Sequence, residues 1–310
     1  MKYPTDDWTF GGSWPYQPHW YETAHGRMQY VDEGSRDAPA VVLVHGNPAW
    51  GYLYRNFIPP LVENGYRVIA PDLLGAGRSD KPDRPDVYRI RRHAERMEQL
   101  LESLDLRDAT LVPHDWGMHS LYWAIRHPER LRGLFILNTM AHRRREEIEL
   151  PLPIKLFRRR VTGPLLVKRL DLVRRFFLFK FGIAHQDRIT PEIRRAYLAP
   201  NPTTASRTGV LIFLQEIPTR PDDPISRFWG ELEDGLEQHF RSKPVGIAWG
   251  MKDRAFTPAV LEELWLGTFP HAVVTRVPDA GHFVQEDAHE RVVPALLAHL
   301  KNSRPVVAAA

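Results

Sequence analysis

One aspartate stands in a sequence context that could expose a nucleophile. Asp115 lies in residues 112–118 (VPHDWGM), which follow a short apolar run and open a helical pattern. A sharp turn between a strand and a helix lifts one side chain clear of a sheet. Because a carboxylate is already ionised near neutral pH, Asp115 could attack carbon without a general base and form an ester. If the motif stood alone, an N-cap of the following helix would be the preferred interpretation.

Four more motifs, each at or just past the end of a predicted strand, favour a catalytic role for Asp115. They include a candidate acid, Asp253, and a candidate base, His282, in the order nucleophile, acid, histidine. This is the chain order of enzymes with the α/β-hydrolase fold. Each motif alone is weak evidence, but the set in this order predicts a catalytic triad. The four motifs are residues 45–48 (HGNP), 72–79 (DLLGAGRS), 249–253 (WGMKD) and 280–283 (AGHF).

The chemistry of these side chains assigns their expected roles. His282 would activate water to hydrolyse the ester, and Asp253 would orient the imidazole and stabilise its protonated form. Asn47 and Trp116 carry neutral N–H donors that suit a departing anion, and the backbone N–H of Trp116 could face an oxyanion. The simpler alternatives are a structural loop residue for His282, a turn residue for Asp253 and core packing for Trp116.

Short apolar runs separated by helical patterns predict the framework that positions these residues. Continuous apolar runs are typical of strands covered on both faces. Their alternation with helices predicts an α/β fold with a mostly parallel central sheet and helices on both faces. The predicted strands are residues 41–44, 67–70, 109–112, 134–137, 245–249 and 273–277, and the predicted helices lie near 90–104, 118–127 and 258–269.

The alternation breaks between about residues 140 and 229, where no strand is predicted and the sequence is helical and basic. We therefore predict an α/β core from residues 1–139 and 230–310. Residues 140–229 would form a helical cap over the carboxyl edge of the sheet, where ligands bind in such folds. Basic clusters at 143–145 and 158–160 are most simply solvated helix faces. The alternative is contact with an acidic membrane surface or a partner enzyme.

Composition narrows the class of protein. The chain has 310 residues, a net charge of +4 and no Cys, which excludes disulfides, thiol nucleophiles and thiolate metal sites. A mild basic excess without a recognised motif argues against nucleic-acid binding. No apolar stretch is long enough to span a bilayer, and residues 1–10 lack the pattern of a signal peptide. We therefore expect a cytoplasmic protein, with a disordered tail at residues 305–310.

Over almost its whole length, the chain resembles the haloalkane dehalogenase family. The resemblance rests on the motifs above, with HDWG and GHFVQE in one chain as a specific combination. It implies that Asp115, Asp253 and His282 form the triad. It also implies that Asn47 and Trp116 hold the halide, and that the enzyme uses water but no metal or organic cofactor.

Two departures from the family pattern bear on this assignment. Some relatives carry the acid directly after the strand that follows the nucleophile. Here that strand ends in LNT, residues 137–139, without a carboxylate, which leaves the role to Asp253. Pro113 and Met118 stand where small residues are common, so the turn around Asp115 could differ from that of relatives.

The resemblance leaves other activities open. β-Lactone decarboxylases of olefin synthesis look similar at the same functional positions and at residues 195–200 (RAYLAP) and 213–218 (FLQEIP). The expected substrate is thus a small apolar halogenated compound or a long-chain β-lactone. An epoxide hydrolase would need two acidic hydroxyls in the cap, but residues 140–229 contain a single tyrosine, Tyr197. A non-catalytic binding protein would have no use for a nucleophile, an acid and a base together.

Overall fold

A computed structural model describes residues 7–303 and contains one eight-stranded sheet. The strands are β1 (His19–Thr23), β2 (Gly26–Glu33), β3 (Ala40–Val44), β4 (Arg67–Pro71), β5 (Ala109–Pro113), β6 (Leu131–Leu137), β7 (Val245–Gly250) and β8 (Val273–Val277). Their order across the sheet is β1-β2-β4-β3-β5-β6-β7-β8. β2 pairs antiparallel with both β1 and β4, and every other pairing is parallel. The predicted α/β fold with a mostly parallel sheet is confirmed.

The buried strands of the sheet follow from their continuous apolar sequences. β3 is buried at every residue, and its side chains alternate between two apolar clusters on opposite faces. Val41 and Leu43 belong to one cluster, whereas Val42 and Val44 belong to the other. All six predicted strands are confirmed. β1 and β2 were not predicted, because their residues alternate between more exposed and more covered positions.

Helices supply the remainder of both clusters. The α-helices are α1 (Ile58–Glu63), α2 (Ile90–Ser103), α3 (Leu121–Arg126), α4 (Leu152–Arg158), α5 (Pro191–Leu198), α6 (Thr208–Gln215), α7 (Pro224–Phe240), α8 (Leu266–Thr268) and α9 (Val284–Asn302). Residues of α2, α3 and α7 cover one face of the sheet, and residues of α1 and α9 cover the other. Short 3₁₀ turns lie at Gly51–Tyr54, Pro85–Tyr88, Asp115–Ser120, Pro128–Arg130, Gln186–Arg188 and Ala205–Arg207.

The segment between β6 and β7 contains helices and no strand over its described residues. Besides α4, α5 and α6, it contains two wider π-type turns at Pro164–Arg169 and Val173–Gly182; a third lies at Val260–Trp265, directly before α8. Helix α7 runs through positions 229 and 230, where we predicted the boundary between the insertion and the core, and it packs against α3. Between residues 7 and 303, no helix is long and apolar enough to cross a membrane. The disorder predicted for residues 305–310 falls outside the described residues.

Candidate active site

Asp115 occupies a tight turn directly after β5. Its backbone has a φ of +51°, in the left-handed region that residues other than glycine seldom adopt. Two glycines permit the close packing around it. A Cβ on Gly46 would lie 2.1 Å from Oδ1 of Asp115, and a Cβ on Gly117 would lie 2.2 Å from a carbonyl oxygen of β3. The turn forms with Pro113 as the last residue of β5 and with Met118 buried.

Asp115, His282 and Asp253 come together although they are far apart in sequence. Nε2 of His282 lies 3.4 Å from Oδ2 of Asp115, and Nδ1 lies 2.8 Å from Oδ2 of Asp253. The other oxygen of Asp115, Oδ1, accepts the backbone N–H of Asn47 at 2.7 Å. Asp115 and His282 are each 7% exposed. One imidazole therefore bridges two carboxylates in a site nearly closed to solvent.

The two carboxylates set the protonation state of His282. Burial by itself lowers the pKa of this imidazole, but the charges of Asp253 and Asp115 and hydrogen bonds to both raise it to about 10. The ring is therefore protonated at neutral pH. If the charge of Asp115 were lost, as it is in an ester, the pKa of His282 would fall and the ring could accept a proton.

Asn138 connects the nucleophile to the acid, a role that the sequence did not suggest. Its backbone carbonyl accepts the N–H of Asp115 at 3.1 Å. Its side-chain Nδ2 donates to Oδ2 of Asp253 at 2.9 Å, and its Oδ1 accepts the N–H of Gly250 at 2.8 Å. The only available signal was its place at the end of β6, next to a strand that precedes the acid.

The two predicted anion-binding side chains contact the same helix, α6. Nδ2 of Asn47 lies 3.5 Å from the carbonyl oxygen of Val210, the long limit of a hydrogen bond. The ring of Trp116 packs against Phe213, with centroids 5.5 Å apart. Within residues 7–303, the indole N–H of Trp116 makes no hydrogen bond. Asn47 and Trp116 thus both lie against α6.

A cavity of about 10 Å³ adjoins Asn47 beneath α6. This is room for about one water molecule. Its walls are the loop after β3, residues 73–76, and Val210 and Phe213 of α6. Beside Asn47, helix α6 therefore leaves space for little more than one water molecule.

Two buried histidines near the triad contact backbone carbonyl oxygens. Nε2 of His114 lies 2.9 Å from the carbonyl oxygen of His282, and Nδ1 of His119 lies 2.6 Å from that of Trp116. Burial lowers the pKa of both His114 and His119 to about 3, so both rings are neutral. Among residues 7–303, no group of three or more His, Asp or Glu side chains is arranged to hold a metal ion.

Tyr197, the hydroxyl considered for epoxide chemistry, is engaged elsewhere. Its OH donates to Oε1 of Glu286 at 2.5 Å, and Glu286 also forms a bidentate ion pair with Arg55. The hydroxyl joins helix α5 to the start of α9. Burial, followed by the charge of Glu286, raises the pKa of Tyr197 well above its ordinary value, so this group is a poor proton donor to a substrate.

Comparisons with known proteins agree with this geometry. Residues 39–289 match the family model of the alpha/beta hydrolase fold. A cis-3-alkyl-4-alkyloxetan-2-one decarboxylase from Shewanella oneidensis is 34% identical over 291 residues, which cover 93% of this chain and 88% of the relative. A haloalkane dehalogenase from Mycobacterium marinum is 33% identical over 295 residues, with 92% and 94% of the two chains covered.

A solved structure of a haloalkane dehalogenase is also similar to this chain. The haloalkane dehalogenase DbeA from Bradyrhizobium elkani superposes with a TM-score of 0.83 at 27% identity, covering 93% of this chain and 98% of DbeA. The decarboxylase and the dehalogenase are almost equally similar to this chain in sequence, at 34% and 33% identity, and each match covers more than nine tenths of it. The chain belongs to the alpha/beta hydrolase fold family, in the group that contains haloalkane dehalogenases and oxetanone decarboxylases.

Proposed function

We propose that this protein is a haloalkane dehalogenase with Asp115 as nucleophile, His282 as general base and Asp253 as the acid that supports it. The observation that carries the proposal is the continuous contact from Asp115 through His282 to Asp253. A carboxylate in the nucleophile position suits displacement at an sp³ carbon, because it needs no prior deprotonation. Dehalogenase relatives of similar length support this assignment.

In the first step, Oδ2 of Asp115 attacks the carbon that bears the halogen. Oδ1 accepts the backbone N–H of Asn47 at 2.7 Å, whereas Oδ2 makes the longer contact with His282 at 3.4 Å, so we assign Oδ2 as the attacking oxygen. The new bond joins Oδ2 to carbon while the carbon–halogen bond breaks and the halide leaves with its electron pair. The indole N–H of Trp116 and the amide of Asn47 would stabilise the departing halide as neutral donors.

In the second step, His282 activates water. Once Asp115 is an ester, its charge no longer holds the proton on His282, so the ring can deprotonate and act as a base. Hydroxide adds to the ester carbon, and the backbone N–H of Asn47 faces the oxyanion that develops on Oδ1. Collapse releases the alcohol and restores the carboxylate. The overall change is alkyl halide plus water to alcohol, halide and one proton.

We further propose that residues 140–229 act as a cap that controls entry. Support comes from α6, whose Val210 and Phe213 cover Asn47 and Trp116. Because α6 leaves little space beside Asn47, we expect a substrate to enter when this helix moves outward and to react when it returns. A cytoplasmic location stays part of the proposal.

The test uses 1-bromohexane, with bromide release measured and a single turnover run in H₂¹⁸O. The mechanism predicts that Asp115 gains ¹⁸O, because water attacks its carboxyl carbon, while the first hexanol carries unlabelled oxygen. Asp115→Asn is the control and should release no bromide. Direct labelling of the hexanol in the first turnover would contradict the ester intermediate.

Decarboxylation of a cis-3,4-dialkyl β-lactone is the second candidate. The observation favouring it is that the segments resembling that group, residues 195–200 and 213–218, lie in and beside α5 and α6, and Phe213 contacts Trp116. This reaction converts the lactone to an alkene and CO₂ without consuming water. Parallel assays of bromide release and of alkene formation separate the candidates. Alkene formation without bromide release would replace the dehalogenase proposal.

A further inference from the structure

The outer side of the insertion carries exposed apolar side chains that the proposed chemistry does not use. We define the outer cap segment as residues 151–182, from the start of α4 to the end of the second π-type turn. It contains six of the eight large apolar side chains that are markedly exposed in the described residues, each 43–81% exposed. These six are Leu152, Val161, Leu165, Leu170, Phe176 and Phe181.

Part of this apolar surface is continuous. The rings of Phe176 and Phe181 lie 5.6 Å apart, and both contact Phe177, at 5.9 and 5.1 Å. Phe177 in turn packs on the buried Phe157 at 4.9 Å. The exposed rings of Phe176 and Phe181 therefore pack, through Phe177, on a buried residue of the cap.

The same segment is strongly basic. It contains nine Lys and Arg residues and a single acidic residue, Asp171, for a net charge of +8. The whole chain carries +4, so the rest of the chain carries +4 − 8, or −4. Asp171 is buried, and it pairs with the buried Arg174 and with the exposed Arg175. The net positive charge of the chain is thus concentrated in the outer cap segment.

Most of the exposed cationic side chains of the outer cap segment form no ion pair with a carboxylate of the described residues. Among the described residues, no carboxylate lies within 4.0 Å of a charged nitrogen of Arg159, Arg160, Arg169 or Lys180. The basic cluster at 143–145 differs, since Arg143 and Arg145 both pair with Glu233. The two basic clusters of the sequence therefore separate into a structural one and an unpaired one.

We propose that the outer cap segment docks this protein on an anionic lipid bilayer, with Phe176, Phe181 and their neighbours inserted at the interface. Interleaved apolar and cationic side chains are the pattern of interfacial membrane binding, because apolar burial and attraction to acidic headgroups add. The negative charge of the remaining chain would orient the molecule with this face toward the membrane. The proposal does not depend on which reaction the site performs.

The docking surface lies one helix away from the candidate active site. On its inner side, the outer cap segment packs against Leu211 and Leu214 of α6 through Phe157, Val167 and Val173. The same helix covers Asn47 and Trp116. A long-chain or halogenated apolar compound partitions into a bilayer, so docking by this face would bring the cap to the phase in which such a compound concentrates.

The test measures flotation of the purified full chain with vesicles of phosphatidylcholine alone and of phosphatidylcholine with phosphatidylglycerol. We expect binding to the anionic vesicles that weakens with salt. Arg160→Glu, Arg169→Glu and Lys180→Glu together should lower the partition coefficient at least about tenfold. The matched control reverses three exposed charges elsewhere, Arg36→Glu, Arg227→Glu and Lys301→Glu, and should bind as the unmodified protein does.

A second variant separates the apolar contribution from charge. Phe176→Ser with Phe181→Ser keeps the net charge and should also lower binding, while circular dichroism confirms the fold. Absence of binding to anionic vesicles overturns the proposal, as does equal loss in the control variant. If the chain instead self-associates and Phe176→Ser with Phe181→Ser dissociates it without any vesicle binding, a second copy is the occupant and the proposal is wrong.

Discussion

The side-chain amide of Asn138 donates to Oδ2 of Asp253, the same carboxylate oxygen that lies 2.8 Å from Nδ1 of His282. The other oxygen of Asp253 accepts the backbone N–H groups of Ala255 and Phe256. The acid is therefore fixed in place and leaves one lone-pair direction for the imidazole. Asn138 acts as a positioning residue, since it reaches the candidate base only through Asp253.

Replacement of Asn138 should slow hydrolysis of the ester. Asn138→Ala removes a buried donor to a charged group, a change worth about 1–3 kcal/mol, and we expect kcat to fall roughly tenfold to a hundredfold. Because Asp253 then orients the ring less well, the pH profile of kcat should also shift, which a purely structural defect would not cause. Asn302→Ala, at the exposed end of α9, is the control. An unchanged pH profile would contradict the positioning role.

Removal of the base should trap the covalent intermediate. His282→Ala leaves Asp115 free to attack, so mass spectrometry should find the protein heavier by one alkyl group after incubation with an alkyl bromide. Turnover should fall by about two to four orders of magnitude, the usual worth of general base catalysis. Asp115→Asn with His282→Ala should carry no alkyl group. Full turnover by His282→Ala would exclude this residue as the base.

The titration of His282 should depend on Asp115. The pKa of His282 is about 10 in the native protein, and removal of one negative charge by Asp115→Asn should lower it. Nitrogen-15 NMR of the imidazole measures this directly. Asp222→Asn, which removes an exposed surface carboxylate, should leave the titration unchanged. An equal pKa in Asp115→Asn would mean that Asp253 alone sets the charge of the ring.

The same shift predicts how stability varies with pH. The folded pKa of His282, about 10, lies above its ordinary value of 6.5. The stabilisation from this group is therefore fully present below pH 6.5 and is lost as pH rises toward about 10, since the native state holds the proton longer. The free energy of unfolding should fall less over this range in Asp115→Asn than in the unmodified protein. A steeper fall in the variant would contradict this prediction.

Gly46 should tolerate no side chain. A Cβ there would lie 2.1 Å from Oδ1 of Asp115, which forces the nucleophile away from the backbone N–H of Asn47. We expect Gly46→Ala to lose most activity. Gly267→Ala is the matched control, because its added Cβ meets no atom within 4 Å apart from its chain neighbours and its own helix backbone, and alanine suits a helix better than glycine. Normal kcat in Gly46→Ala would contradict the assigned position of the carboxylate.

The sequence predicted the parts of the fold and site that have a local signature. The buried strands could be identified from continuous apolar runs, and Asp115, Asp253 and His282 from motifs at the ends of those strands. Asn138 could not be recognised, because a neutral amide after a strand has no distinctive pattern, and the sequence suggested only that a carboxylate was missing there. Its role depends on β6 and β7 lying side by side, a contact between residues distant in sequence.

The contact of α6 with Asn47 and Trp116 could not be predicted from the sequence either. It depends on where α6 packs, and therefore on contacts between Val210, Phe213 and two residues from separate loops. Likewise, residues 143–145 and 158–160 are both runs of three arginines and cannot be distinguished by sequence. The positions of Glu233 and Asp234 on α7 distinguish the paired cluster from the free one.

Helix α7 has a consequence for exchanging caps between relatives. It runs unbroken from Pro224 to Phe240, beginning in the insertion and ending against the core. A chimera joined between residues 229 and 230 would combine two halves of one helix from different proteins, directly after Trp229. The ring of Trp229 packs against that of Trp116, with centroids 6.0 Å apart. A junction before Pro224 would transfer the inserted helices up to that point and leave α7 intact with the host core.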